Sequence, residues 1–134
     1  MKQIYVAEDS PTQALRVRRI LTGLHDCQLT FFGDGLEIYQ SCVKAPPDLL
    51  LLDLILPSLE GLAVCRLLKF SNDFKHIPVL VFSSITDEEI AAQSTAVGAD
   101  AYLRKPFSNQ ALIDEVNRLL QIGPEENPGE RPLV

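Results

Sequence analysis

The sequence predicts an α/β fold, a doubly wound sandwich with helices on both faces of a five-stranded parallel sheet. Three observations predict it. Short apolar runs alternate five times with stretches of helical spacing. Two of the runs, Leu49-Leu50-Leu51-Leu52 and Val79-Leu80-Val81-Phe82, carry no polar alternation, which marks strands buried on both faces. Strands that alternate with helices pair in parallel, and right-handed crossovers leave few ways to order them.

The elements follow in order. Ile4 to Ala7 is the first strand, and Ser10-Pro11 is a helix start signal. Leu15, Val17, Ile20, Leu21 and Leu24 then recur at helical spacing. Cys27 to Phe32 is rich in β-branched and aromatic residues and reads as the second strand. Gly33-Asp34-Gly35 is a turn, and Leu36 to Lys44 is a helix that Pro46-Pro47 ends. Asp48 to Asp53 is the third strand. Pro57 and Gly61 bracket a loop, after which Leu62, Cys65 and Leu68 share one helix face. Pro78 to Ser83 is the fourth strand, and Asp87 caps a weaker helix that runs through Val97. Gly98-Ala99-Asp100 turns into the strand Ala101 to Arg104, and Lys105-Pro106-Phe107 is a loop. Ser108 caps the last helix, whose inward face carries Leu112, Val116, Leu119 and Leu120. Residues 1–122 are expected to form one domain. Residues 123–134 change to a polar composition rich in Pro and Glu and are expected to be a disordered tail.

Bulk composition narrows the function classes. A chain of 134 residues, 46% hydrophobic, has one domain's worth of core. Its net charge of −6 repels phosphate backbones and anionic lipid surfaces, so direct nucleic-acid binding and membrane insertion are not expected. Its apolar runs fall far short of the roughly 20 residues of a membrane span. The N-terminus meets charge at Glu8-Asp9 too soon for a signal peptide, and a cytoplasmic location is expected. Cys27, Cys42 and Cys65 are widely spaced, and the only histidines are His25 and His76, too few for a zinc site. The three cysteines are expected to be reduced thiols in or near the core.

In open α/β sheets, ligands bind beyond the carboxyl ends of the strands. The first strand ends in Glu8-Asp9, the third in Asp53 and the fourth in Ser83-Ser84, and Lys105 follows the fifth. Any one of these is an ordinary polar residue at a strand end; together they bring three carboxylates, a hydroxyl and an ammonium to one rim. Carboxylates gathered this way repel one another. Mg²⁺ relieves that repulsion best, because it takes a few carboxylates and is completed by water and phosphate oxygens. Asp53 is then placed as a nucleophile that forms an aspartyl phosphate. Lys105 and the metal supply positive charge, and Ser83 donates a hydrogen bond to a phosphoryl oxygen.

On these residues the chain resembles the CheY-like response regulator receiver domains, over roughly residues 2 to 121. Glu8 and Asp9 match the family's acidic pair, Asp53 its phosphoacceptor, and Asp53-Leu54-Ile55-Leu56-Pro57-Ser58-Leu59-Glu60-Gly61 the loop after it. The resemblance implies a flavodoxin-like (βα)5 sheet in the order 2-1-3-4-5. It implies that the Ile55 backbone carbonyl is a metal ligand and that the Lys105-Pro106 bond is cis. It also implies that Ser83 and Tyr102 form a switch with Pro106 nearby: Ser83 moves to the phosphoryl group, and the Tyr102 ring swings inward. That motion would bias the fourth helix, fifth strand and fifth helix between two packings. The implied function is a phosphorylation-dependent signalling switch, not a classical enzyme. It takes its phosphoryl group from a histidine kinase or phosphotransfer protein and contacts a downstream protein target, as a monomer or a phosphorylation-dependent homodimer. The segment Glu8-Asp9-Ser10-Pro11-Thr12 is similar to receivers of chemosensory and surface-motility pathways.

Two positions depart from fast-cycling members of the family: Ile55 and Ile85 are apolar where polar residues often position the attacking water. A long-lived phosphoryl state is therefore expected. Three other readings are weaker. A phosphatase of the haloacid dehalogenase type, or a Toprim-type site, needs an aspartate two residues after Asp53, where Ile55 stands. A phosphorylation-independent binding module would be expected to have lost part of the site. A receiver fragment of a DNA-binding regulator is disfavoured by Ala91-Ala92-Gln93 in the fourth helix, which lacks the charged pattern of winged-helix regulators. A stand-alone protein, or a fragment whose tail begins a linker, is the expectation.

Overall fold

The computed structural model describes residues 1–24, 26–84 and 88–122. The elements run β1 (Lys2–Ala7), α1 (Pro11–Leu21), β2 (Cys27–Phe32), α2 (Gly35–Lys44), β3 (Leu49–Asp53), α3 (Gly61–Lys69), β4 (Val79–Ser83), α4 (Glu88–Ala96), β5 (Ala101–Arg104) and α5 (Asn109–Ile122). All strand pairs are parallel, in the order β2-β1-β3-β4-β5.

Strand periodicity divides the core in two. Leu50 and Leu52 of β3 and Val79 and Val81 of β4 face one side, against Ile38 and Cys42 of α2 and Val64, Cys65 and Leu68 of α3. Leu49 and Leu51, with Leu80 and Phe82, face the other side, against Val17 and Leu21 of α1 and Leu112, Val116 and Leu119 of α5. Successive strand residues point to opposite faces, so a leucine run with no polar break is what a doubly covered central strand requires.

Local chemistry sets the element ends. Ser10 caps α1 by accepting from the Gln13 backbone N–H at 3.4 Å, with Pro11 in the first helical turn. Asp34 caps α2 by accepting from the N–H groups of Leu36 and Glu37. The Ser108 hydroxyl accepts from Ala111 N–H at 3.0 Å and caps α5. β1 begins at Lys2, two residues before the expected start, because Lys2 and Gln3 pair in register with Cys27 and Gln28. β3 and β4 each begin one residue later than expected. Asp48 closes a two-bond bridge to Gln3, its N–H donating to the Gln3 carbonyl at 2.8 Å and its carboxylate accepting from the Gln3 N–H at 2.7 Å, and Pro78 has no N–H to give a ladder.

Of the apolar residues that recur at helical spacing in α1, Leu15 does not share the buried face: it is 45% exposed, because it lies roughly 200° around the helix from Val17. The expected cap at Asp87, Ile85, His25 and the expected tail at 123–134 lie outside the described residues. The three cysteines are free thiols, Cys42 and Cys65 buried and Cys27 half-buried. Among the described residues, no helix is long and apolar enough to cross a membrane.

Candidate phosphoacceptor site

Sheet register assembles the site. Ala7 lies beside Leu52, so Glu8 and Asp53 extend adjacent strands to the same level. Asp53 lies beside Phe82, which brings Ser83 one step beyond it, and Ser83 lies beside Arg104, which brings up Lys105. Four chain segments far apart in sequence thus reach one rim. Glu8, Asp53 and Ser83 are buried there, and Asp9 is exposed.

The Lys105 ammonium bridges the two buried carboxylates, donating to Asp53 Oδ2 at 2.7 Å and to Glu8 Oε2 at 3.0 Å. It also stands 5.1 Å from the centre of the Phe82 ring, a cation–π contact that favours the charged amine. Asp53 Oδ1 accepts from the Ile55 backbone N–H at 3.1 Å. Glu8 Oε1 accepts from the Ser10 N–H at 3.2 Å.

Electrostatics separates the two acids. Burial, and then a hydrogen bond with Asp53, push the Glu8 carboxyl up to about 7 despite the neighbouring ammonium. Burial also works against ionised Asp53, but the hydrogen bonds from Glu8, Lys105 and Ile55 N–H outweigh it and hold Asp53 below the usual carboxylate range. Burial disfavours charged Lys105 as well; the two carboxylates overcome that and raise the amine above its ordinary value. One ammonium thus stands between two carboxylates, one of which, Glu8, ionises less readily than usual and the other, Asp53, more readily. Glu8, Asp9 and Asp53 can each turn one oxygen into a common space, all within 4.8 Å of one another. That hard, anionic, all-oxygen donor set fits Mg²⁺ or Mn²⁺ and does not fit a soft metal.

The loop after Asp53 is held from two sides. A Cβ on Gly61 would stand 2.1 Å from the Asp53 carbonyl oxygen, and one on Gly35 would stand 1.7 Å from the Leu59 carbonyl oxygen. Only glycine permits either approach. Ser58, at φ 67°, donates its hydroxyl to Asp34 Oδ2 at 2.5 Å, and Gly35 N–H donates to Pro57 O at 3.1 Å. Within the loop, the Ile55 side chain is 60% exposed. Tyr102 is half-buried on β5, packed against the core that α2 and α3 cover. The Lys105–Pro106 peptide is cis.

The structure therefore brings Glu8, Asp53, Ser83 and Lys105 to one rim, with Asp9 at its edge. Sequence reasoning missed the Asp34–Ser58 contact and the tight approaches of Gly35 and Gly61. It recognised both glycines as turn residues, but a clash with a backbone 24 positions away for Gly35, or across a loop of 8 positions for Gly61, leaves no signal in the neighbouring residues. It also missed Arg16, which donates to the Phe107 carbonyl and lies 4.7 Å over the Phe107 ring. Beside the rim lies a cavity of about 510 Å³, lined among the described residues by Gln13, Arg16, Ser84, Lys105 and Pro106.

Comparison with known proteins gives a consistent result. The family model described as "Response regulator receiver domain" matches residues 4–117. The DNA-binding response regulator MtrA of Mycolicibacterium smegmatis is 31% identical over 129 residues, covering 96% of this chain and 54% of that protein. Among solved structures, the signal receiver domain of a signal transduction histidine kinase from Syntrophus aciditrophicus is 30% identical, with a TM-score of 0.83, covering 100% of this chain and 97% of that one. The Mn²⁺-bound form of response regulator Rcp1 is 28% identical, with a TM-score of 0.76 and 91% of each chain covered. The chain spans about half the length, or less, of the first curated relatives it matches.

Proposed function

Since the chain belongs to the response regulator receiver domain family, we propose that it is a phosphorylation-dependent switch whose acceptor is Asp53. The observation that carries this reading is the Lys105 ammonium shared between Asp53 and Glu8, with Asp9 completing a three-carboxylate set.

In the proposed reaction, an Asp53 carboxylate oxygen attacks the phosphorus of a donor. A new O–P bond forms as the donor's P–N or P–O bond breaks, and the electron pair leaves with the donor group. Glu8, Asp9, Asp53 and the Ile55 carbonyl would hold Mg²⁺, which when bound neutralises charge on the phosphoryl oxygens. Lys105 moves from Asp53 Oδ2 onto a phosphoryl oxygen, exchanging one anionic partner for another without leaving the rim. The Ile55 N–H keeps the carboxylate oriented. Ser83, almost fully buried at the end of β4, donates its hydroxyl to the phosphoryl group. Tyr102 on the neighbouring strand then takes up the vacated space, and the α4–β5–α5 face changes shape. Pro106 fixes the direction in which the chain leaves Lys105.

The donor is a histidine kinase or phosphotransfer protein, the chain catalyses only its own phosphotransfer and slow dephosphorylation, and the output is contact with a downstream protein. The work is done in the cytoplasm. MtrA is a DNA-binding regulator about twice this chain's length, so a receiver within a longer regulator is the second reading. A titration with MgCl2 tests the site. The native chain should bind one ion, and Glu8→Gln and Asp53→Asn should each weaken binding. A native chain that binds none would leave a phosphorylation-independent module as the better account. Ile55, together with Ile85 outside the described residues, should slow hydrolysis. The acyl phosphate should decay over minutes or longer once the donor is removed, and decay in seconds would refute the slow-hydrolysis part.

A further inference from the structure

The geometry points to Arg16, on the opposite side of the rim from the loop that follows Asp53, as a positioning residue for Lys105. We propose that it fixes the segment from Lys105 to Phe107 and thereby sets where the ammonium stands; the inference rests on the phosphoacceptor reading above.

Lys105 sits at the end of β5, where ladder support ends. Among the described residues, the last backbone bond from β4 to this segment is Lys105 N–H to Ser83 O at 2.8 Å. Beyond it the chain must be held by something else. Arg16 supplies a hold from α1: its Nη2 donates to the Phe107 carbonyl and, at 3.4 Å, to Asn109 Oδ1. The same guanidinium lies over the Phe107 ring. That ring meets Phe82 edge to face, with centroids 6.1 Å apart, and the Phe82 ring carries the Lys105 ammonium on its face. A continuous stack, Arg16–Phe107–Phe82–Lys105, therefore joins α1 to the group that bridges Asp53 and Glu8. Lysine would not replace this guanidinium fully, because a planar fork donates and stacks at once whereas an ammonium is a single compact charge.

Placement matters here more than in most core contacts. Phosphoryl transfer is accelerated by positioning and charge, and displacement of a reacting group by about 1 Å can cost on the order of 100-fold in rate. Arg16 touches neither Asp53 nor a candidate metal ligand, so its loss should act only through Lys105.

The test is the rate of phosphorylation by acetyl phosphate with Mg²⁺, followed over a range of donor concentrations. It is measured for the native chain, Arg16→Lys, Arg16→Met, Lys105→Met and the Arg16→Met/Lys105→Met pair, with a Mg²⁺ titration of each to show that the site is assembled. Arg16→Met should lower the rate at saturating donor by about tenfold or more, with Mg²⁺ affinity unchanged and Arg16→Lys in between. In the Lys105→Met background, Arg16→Met should slow the reaction no further. Additive slowing, native rates in Arg16→Met, or a change confined to the donor concentration needed would each overturn the inference. A native chain that takes up no phosphoryl group would instead overturn the reading on which it rests.

Discussion

Among the described residues, Lys105 is the one cation that bridges Asp53 and Glu8, and its removal isolates the effect of charge from that of shape. Lys105→Met keeps the length and packing of the stem but leaves Asp53 and Glu8 facing each other with no ammonium. Breaking a buried ion pair from one side costs about 3–5 kcal/mol, and here Glu8 can lessen that cost by keeping its proton. The variant should therefore lose roughly 2–3 kcal/mol in urea unfolding without divalent cations, and part of that loss should return with Mg²⁺. An equal loss with and without Mg²⁺ would show that the carboxylates do not share a cation site. At this scale the sequence was informative where chemistry sits at strand ends: Glu8, Asp9, Asp53, Ser83 and Lys105 all follow from position along the chain. It was silent where a partner comes from a different element. Neither Phe82 beneath the ammonium nor Arg16 over Phe107 carries a spacing that could announce it, because each contact joins elements that pair only after the sheet has formed.

The helices differ in how firmly they are held, and the difference follows from their side chains. α3 buries Gly61, Val64, Cys65 and Leu68, whereas α4 buries only Ser94. In α4 the hydroxyls of Ser94 and Thr95 turn back onto the carbonyls of Ile90 and Ala91, at 2.9 and 3.2 Å, a pattern that competes with the helical ladder. Amide exchange should therefore be faster in α4 than in α3 or α5, by about an order of magnitude or more. Equal protection across the three would contradict the account. The switch face proposed above would include this helix, and moving a weakly packed helix costs little. α3 begins under the opposite constraint. Gly61→Ala would drive a Cβ into the Asp53 carbonyl, so it should destabilise the fold by about 1–3 kcal/mol and weaken Mg²⁺ binding as the acceptor shifts. Element order, parallel pairing and most boundaries were legible because buried runs and cap residues are local signals. Leu15 turns outward although it recurs at helical spacing, because a list of apolar residues along a helix does not by itself say which face turns inward.

For the molecule as a whole, the buried thiols fix the direction of its pH dependence. Burial pushes Cys42 up to about 12 and Cys65 up to about 11, and raises Cys27 as well. The unfolded chain releases these protons near 9. Between 9 and 12 the folded state holds protons that the unfolded state has lost, so stability is fully present below 9 and falls as pH rises. Tyr5 and Lys105, both raised, add in the same sense. Urea midpoints should hold steady from about pH 7 to 8.5 and drop clearly by about pH 10.5. A midpoint that rises in alkali would contradict the burial of the thiols. Whether Asp53 takes the phosphoryl group is read from intact mass after incubation with Mg²⁺ and acetyl phosphate, native chain beside Asp53→Asn. The native chain should gain one phosphoryl mass and the variant none. The same gain in both, or none in a native chain that binds Mg²⁺ and is left long enough for slow transfer, would contradict it.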